Sequence, residues 1–181
     1  MAAPADFLLP NHHGPWTLDD VLALPEDHSQ RVELIDGTLI VSPLGNFRHQ
    51  ILVADCFSAL RAAAPAECQA TIELNLGLSG GRLLIPDFTV VERIGFEGLL
   101  FPVENVILVG EVMSPSTRVN DLVLKRQLYA EAGVPFYLVV DPKGLTFLLE
   151  LQGAEYVEVA WEADGVLVLD RPFPVTIVLS E

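Results

Sequence analysis

Three charged side chains stand where apolar ones are expected. Glu111 lies in VILVGEVM, the otherwise apolar run from Val106 to Met113. On a strand, where side chains alternate between faces, Glu111 shares its face with Ile107, Val109 and Met113. Asp87 lies in RLLIPDFTVV and on the same argument shares a face with Leu83 and Ile85. An ionised carboxylate in such surroundings costs several kcal/mol unless a partner compensates it. A divalent cation is one efficient partner. Magnesium takes one or two protein carboxylates and fills its other positions with water and substrate phosphate. The competing reading of Glu111 is an acid paired with arginine, but basic residues are scarce: 10 Lys+Arg against 25 Asp+Glu. The competing reading of Asp87 is an ordinary turn or strand-edge acid after Pro86.

The third is Lys125. At about 100° per residue, a helix over residues 120–132 gathers Asp121, Lys125, Leu128, Tyr129 and Ala132 on one side, with Arg126, Gln127 and Glu131 opposite. Lys125 then points from the middle of the core-facing arc, where a lysine needs an anionic partner. An i,i+4 pair with Asp121 would contribute only roughly tenths of a kcal/mol, so a buried functional lysine is the better reading. Asp121 and Tyr129 are its neighbours. Glu33, in RVELIDG, is either a further site acid or a solvated strand residue. His49 lies on the core arc of its own helix and reads as a core or supporting histidine rather than a metal ligand. The hydroxyls of Ser114-Pro115-Ser116-Thr117 could meet phosphate, although a Ser/Pro-rich turn is the ordinary reading.

These residues need elements to position them. Thr17 opens a short helix, TLDDVLAL, with Asp20 in a capping-box position, and Pro25 ends it. In RVELIDGTLIVSP, Asp36-Gly37 between two apolar runs predicts a hairpin. Asn46 or Gly45 starts a longer helix, with His49, Leu52, Val53, Cys56, Phe57 and Leu60 on its core arc. ATIELNLGL and RLLIPDFTVV read as two strands joined through Ser79-Gly80-Gly81. VILVGEVM reads as a strand covered on both faces. A helix from about Asn120 to Ala132 ends at Gly133, and Phe136 to Asp141 is another buried strand. From Leu145 short strands alternate with turns at Gly153 and Asp164-Gly165. The order predicts an α/β domain with a mixed sheet, residues 16–181, preceded by a mobile arm over residues 1–15 that includes His12 and His13.

Length and composition bound the rest. A chain of 181 residues, just over half of them hydrophobic, suits one domain with a large core. The net charge of −15 lacks the basic footprint of a strong non-specific DNA binder, though not a local basic groove or a metal-completed site. No apolar run is long enough to span a membrane, and the N-terminus lacks the pattern of a signal peptide. Cys56 and Cys68 are too few for a disulfide framework and predict reduced core residues in a cytoplasmic protein. The apolar tail, including FPVTIVL, predicts self-association as a homodimer.

An acid after proline, a second acid on the next core strand and a nearby lysine resemble the PD-(D/E)XK superfamily of restriction-endonuclease-like folds. ELIDG (33–37), Ser42-Pro43 and His49, IPD (85–87), GEVMSPST (110–117) and DLVLKRQLYAEAGVPFYLVVDP (121–142) resemble the Uma-two family of bacterial endonucleases over roughly Leu18 to Pro142. The resemblance implies a restriction-endonuclease-like core: a central mixed β-sheet flanked by helices, here with extra β-hairpins at the C-terminus. It implies a metal site of Asp87 and Glu111 for Mg²⁺, with Mn²⁺ as a substitute, and Glu33 as a helper acid. It implies nucleic acid, DNA first, as the substrate of phosphodiester hydrolysis. Where the superfamily pattern has lysine two residues after the second acid, this chain has Met113; Lys125 matches the lysine that the Uma-two-like pattern places on the following helix. The alternatives are a catalytically inactive nuclease-fold binding or assembly protein, and a phosphohydrolase acting on nucleotides or RNA. Asp87→Asn is expected to raise stability by relieving carboxylate repulsion.

Overall fold

The computed structural model describes residues 10–25, 30–114, 120–143 and 146–180. Most of the arm expected over residues 1–15 lies outside them. The chain opens with α1 (Leu18–Leu22), where Thr17 and Asp20 cap each other reciprocally, as their spacing predicts. Next comes the hairpin of β1 (Gln30–Ile35) and β2 (Thr38–Pro43), closed with Ile35 opposite Thr38. Asp36 and Gly37 take φ of 49° and 78°, the left-handed pair a two-residue primed turn requires. Asn46 caps α2 (Phe47–Ala63) by accepting from the His49 N–H, and Leu52, Val53, Cys56 and Leu60 form its buried stripe.

Beyond α2, two expected strands are each broken. ATIELNLGL divides into β3 (Cys68–Ile72) and β4 (Leu76–Leu78), with the left-handed Glu73 (φ 49°) between them. RLLIPDFTVV divides into β5 (Arg82–Leu84) and β6 (Phe88–Glu92) at Ile85-Pro86-Asp87. Proline has no N–H for a ladder and restricts the residue before it. Asp87 therefore does not share a strand face with Leu83 and Ile85; it lies where the chain leaves one sheet for another. There follow β7 (Phe101–Pro102), β8 (Val106–Val112), and a helical segment that is π-helical over Asn120–Lys125 and continues as α3 (Arg126–Glu131). The remainder is β9 (Phe136–Val140), β10 (Phe147–Gln152), β11 (Glu155–Trp161), β12 (Val166–Leu169) and β13 (Val175–Val178).

Among the described residues these strands form three sheets, ordered β2-β1-β5-β4-β7, β11-β10-β9-β8-β6-β3, and β12-β13. The six-stranded sheet is mixed, because β8 and β9 run parallel while its other pairs are antiparallel. One of its faces packs Phe88, Leu108, Val112 and Leu138 against Leu52, Cys56 and Leu60 of α2, and against Leu167 and Ile177 of the C-terminal hairpin. The other face packs Val109, Met113, Tyr137 and Val139 against Leu128 and Tyr129 and against Ile35, Leu76 and Leu84 of the five-stranded sheet. Burying each Leu, Val or Phe contributes about 1.5–3 kcal/mol, so the two layers close the fold around the central sheet. A register slip corrects one expected face. Val90 pairs with Leu108 but Val91 with Val106, so Ile107 is the extra residue and packs on the α2 side rather than with Val109. No described helix is long and apolar enough to cross a membrane.

Candidate functional site

The seam between the two larger sheets collects the buried charge. On β1, Arg31, Glu33 and Ile35 alternate with Val32 and Leu34. Leu34 and Val32 pack toward α1, and Ile35 joins the layer around Tyr129. Arg31 and Glu33 therefore project toward the seam. Glu33, 3% exposed, accepts the Ile85 N–H at 2.8 Å, which holds the end of β5 just before Pro86 turns the chain. Asp87 and Glu111 are each 2% exposed. Phe88 faces Gly110 across the antiparallel β6 and β8, so Asp87, just before Phe88, and Glu111, just after Gly110, leave that pair on the same side. Gly110 is required there, since a Cβ would stand 1.9 Å from the Phe88 ring.

Two groups of contacts result. Lys125, 6% exposed, donates to Glu111 Oε1 at 2.8 Å and lies 3.0 Å from Glu33 Oε1. The Tyr129 hydroxyl donates to the same Glu111 oxygen at 2.9 Å. Around Asp87, Arg31 Nη1 donates to Oδ1 at 2.7 Å, His49 Nε2 is 3.4 Å from that oxygen, and the Val112 N–H donates to Oδ2 at 2.7 Å. Arg31 also reaches Glu73 at 3.1 Å. Cavities of about 190 Å³ and 420 Å³ both have His49 in their walls; the smaller is also lined by Arg31, Glu73 and Asp87.

The electrostatics follow from this packing. Burial pushes the Asp87 carboxyl up, but His49, Arg31 and the Val112 N–H outweigh it and hold the group down at about 2. Burial works against the Arg31 cation, yet Asp87 and Glu111 hold it well above its ordinary range. Burial, with Glu111 and Glu33 nearby, pushes the Tyr129 phenol far up, so it stays a hydrogen-bond donor. This reverses the expectation for Asp87→Asn: the carboxylate is compensated, and neutralising it removes a favourable pairing.

The chemistry of the donor set suits a hard divalent ion. Asp87 and Glu111 supply carboxylate oxygens, the kind magnesium and manganese prefer. Three buried carboxylates here face two cationic side chains, and the buried His49 Nδ1 has no hydrogen-bond partner. Among the described residues no group of three or more His, Cys, Asp or Glu side chains is arranged to hold an ion. The ligands expected from the sequence are the pair Asp87 and Glu111, whose shell water and substrate would complete.

Of the residues singled out in the sequence, Glu111, Lys125, Glu33 and Tyr129 meet in one group of contacts and Asp87 and His49 in the other. Asp121 opens the π-helical segment, and its side chain lies outside the described residues, as does most of the Ser114–Thr117 loop. Met113 occupies the apolar layer, and the cation reaches Glu111 from the helix instead. Sequence reasoning missed Arg31. Its only signal was the i,i+2 spacing to Glu33, which places both on one strand face. Glu73 was missed because it reads as a mid-strand residue, whereas it sits at a left-handed break.

The family model Uma2, described as "Putative restriction endonuclease", matches residues 18–180. The crystal structure of "a putative nuclease belonging to DUF820" from Anabaena variabilis is similar with a TM-score of 0.67 and 24% identity, over 87% of this chain and 90% of that one. A chain of the DrdV–DNA complex overlaps more loosely, with a TM-score of 0.38 and 16% identity over 62% of this chain and 11% of that chain, too little to bear on function. No curated protein matches the chain. With its mixed sheet, its seam of buried acids and a match over nearly all of its length, the chain belongs to the Uma2 family and has the restriction-endonuclease-like fold.

Proposed function

We propose that residues 16–181 form one nuclease domain that hydrolyses phosphodiester bonds of nucleic acid, DNA first, with Mg²⁺ held by Asp87 and Glu111 and Mn²⁺ as its substitute. The observation that carries this reading is Lys125 between Glu111 and Glu33, at 2.8 and 3.0 Å, with Asp87 buried and bonded to the Val112 N–H one residue beyond Glu111. A divalent cation at such a site supplies positive charge to the scissile phosphate and lowers the pKa of a bound water. The chain's own residues do the rest. Lys125 keeps a fixed positive charge where negative charge develops on the phosphate. Tyr129 and Lys125 orient Glu111 through the oxygen they share. Glu33, anchored by the Ile85 N–H, positions Lys125 and offers a carboxylate to orient a water. Arg31, His49 and the Val112 N–H hold Asp87 ionised and aligned.

The test is cleavage of plasmid, single-stranded DNA, RNA and a small phosphodiester with Mg²⁺ or Mn²⁺, by the parent and by Lys125→Ala. Metal-dependent cleavage that Lys125→Ala loses is the expected result. One observation favours a second reading, a non-catalytic nuclease-fold binding or assembly module. Arg31 already neutralises Asp87 at 2.7 Å, in a chain of net charge −15. On that reading neither metal supports cleavage of any substrate, and calorimetry detects no Mn²⁺ binding. Self-association as a homodimer belongs to either reading; Val168 and Val178 on the outer face of the C-terminal hairpin are more than 60% exposed, and sedimentation tests it.

A further inference from the structure

Each acid expected to hold the metal already meets a cation, but the two cations are held differently. Lys125 stands between Glu111 and Glu33 as a buried ammonium. Arg31 divides its guanidinium between two acids: Nη1 donates to Asp87 Oδ1 at 2.7 Å and Nη2 to Glu73 Oε1 at 3.1 Å. An arginine that locks one carboxylate places two N–H groups on it, which is the stronger arrangement. Here each acid holds one arm of the fork, so Arg31 can leave Asp87 while Glu73 keeps it.

The two acids also differ in their surroundings. Asp87 is 2% exposed, whereas the Glu73 side chain is 47% exposed. Glu73 stands at the left-handed break between β3 and β4, where its N–H donates to the Asp87 carbonyl at 3.3 Å. The backbone therefore sets a half-exposed carboxylate next to the buried one, with Arg31 spanning both. The cavity of about 190 Å³, lined by Arg31, His49, Glu73 and Asp87, leaves room for the guanidinium to shift between them. The oxygen in contest is Oδ1. Oδ2 accepts the Val112 N–H, a main-chain donor fixed on β8, while Oδ1 faces Arg31 and, at 3.4 Å, His49 Nε2. Burial works against the Arg31 cation, and Asp87, then Glu111, sustain it; its charge lies in the field of both expected ligands. A divalent ion on Oδ1 would meet that charge at close range, where like charges repel strongly.

We propose that Arg31 regulates the metal site as an internal competitor: it holds Asp87 until a divalent ion binds there, and is then kept by Glu73. The inference rests on the nuclease reading, whose metal ligands it adopts, and adds the residue that sets how readily the site fills. It also gives the Arg31–Asp87 pair a part in a working site rather than in an inactive one.

The experiment is calorimetric titration of the full chain with Mn²⁺, with nucleic-acid cleavage measured separately. Arg31→Met should tighten Mn²⁺ binding by about tenfold or more, from the loss of one close positive charge. Glu73→Gln should weaken it by about threefold, since Arg31 then has Asp87 alone and the lost partner is half-exposed. In the double variant Arg31→Met/Glu73→Gln the Glu73 effect should vanish, because it acts through the arginine. Arg61→Met, which makes the same change of net charge at the exposed far end of α2, should bind like the parent. A merely structural Arg31 gives the opposite sign, because its loss would misplace Asp87 and weaken binding. Affinity equal to or weaker than the parent's in folded Arg31→Met overturns the inference. So does a Glu73 effect of undiminished size in the double variant, or a gain in Arg61→Met that matches Arg31→Met. Should Arg31→Met not fold, Glu73→Gln decides, and parental affinity there overturns the inference. Any of these failures with cleavage intact in the parent leaves the nuclease reading standing. Absence of Mn²⁺ binding in the parent and in every variant removes both.

Discussion

On one face of β8, Leu108 and Val112 meet Phe88, α2 and the C-terminal hairpin in a wholly apolar layer. On the other face Glu111 lies between Val109 and Met113 and meets Lys125 and Tyr129. Both faces are equally dry: Leu108 is 0% and Glu111 2% exposed. The first face gains transfer free energy from every side chain it buries. The second gives up some of that gain to desolvate Glu111, Glu33, Asp87, Lys125 and Arg31, and recovers it only where hydrogen bonds and opposite charges meet. A sheet under selection for stability alone has no use for the second arrangement. The contrast is what singles out the seam as the candidate site.

The largest expected effects separate the faces. Glu111→Gln should lower the cleavage rate on the order of 10³-fold, from loss of several kcal/mol of charge stabilisation, while far-UV circular dichroism stays that of the parent. Leu108→Ala should do the reverse, costing about 2–5 kcal/mol in urea unfolding with the rate intact where the protein is folded. A Leu108→Ala protein that is stably folded yet inactive would break the comparison.

Next in size is Lys125→Met. It leaves Glu111 and Glu33 without their shared cation, and removing one partner of a buried ion pair costs about 3–5 kcal/mol. Adding Glu33→Gln should restore part of that loss, a non-additivity that urea titration of the double variant reads directly. If the two losses simply add, Glu33 and Lys125 are not coupled as their 3.0 Å separation requires.

A smaller effect lies in the pH dependence. Asp87 is held at about 2 against an ordinary 3.8. Because the folded value is depressed, its contribution is fully present above pH of about 4 and is lost as pH falls toward 2. The shift corresponds to about 2 kcal/mol. Asp87→Asn should lack this acid-side loss and be less stable than the parent at neutral pH by a similar amount. A neutral-pH stability equal to the parent's would show that Arg31 and the Val112 N–H do not favour the charged form.

The smallest effect is on the apolar face. Burial first, then nearby Asp55 and Asp87, pushes the Cys56 thiol up to about 12. A maleimide should therefore leave Cys56 unlabelled at pH 8 and modify it only in urea, as followed by mass spectrometry. Labelling of the native protein at the rate of a free thiol would mean that this face opens.

Much of the site was legible because burial of charge is anomalous in any sequence. Glu111 in VILVGEVM and Lys125 on a core-facing arc stood out from their neighbours alone. The face argument held although the helix begins with a π-helical segment, because Lys125, Leu128 and Tyr129 still turn inward together. Arg31 did not stand out. An arginine at the start of a hairpin strand is an ordinary solvated residue until something buries it. Its burial comes from Asp87, fifty-six positions away. Strand continuity was misjudged for a similar reason. RLLIPDFTVV has the composition of one strand, and only the partners available to each half decide that β5 joins one sheet and β6 the other.

The order of elements, the capping box at Thr17 and Asp20, the Asp36-Gly37 turn and the identity of the misplaced acids were determined by the sequence alone. Each depends on interactions within a few residues, or on side-chain periods of 2 and 3.6. The tertiary structure decided which acid meets which cation, that Arg31 belongs with Asp87, and that the chain changes sheets at Pro86. Those outcomes depend on contacts between residues far apart in the chain, whose free energies exist only once the two layers have packed.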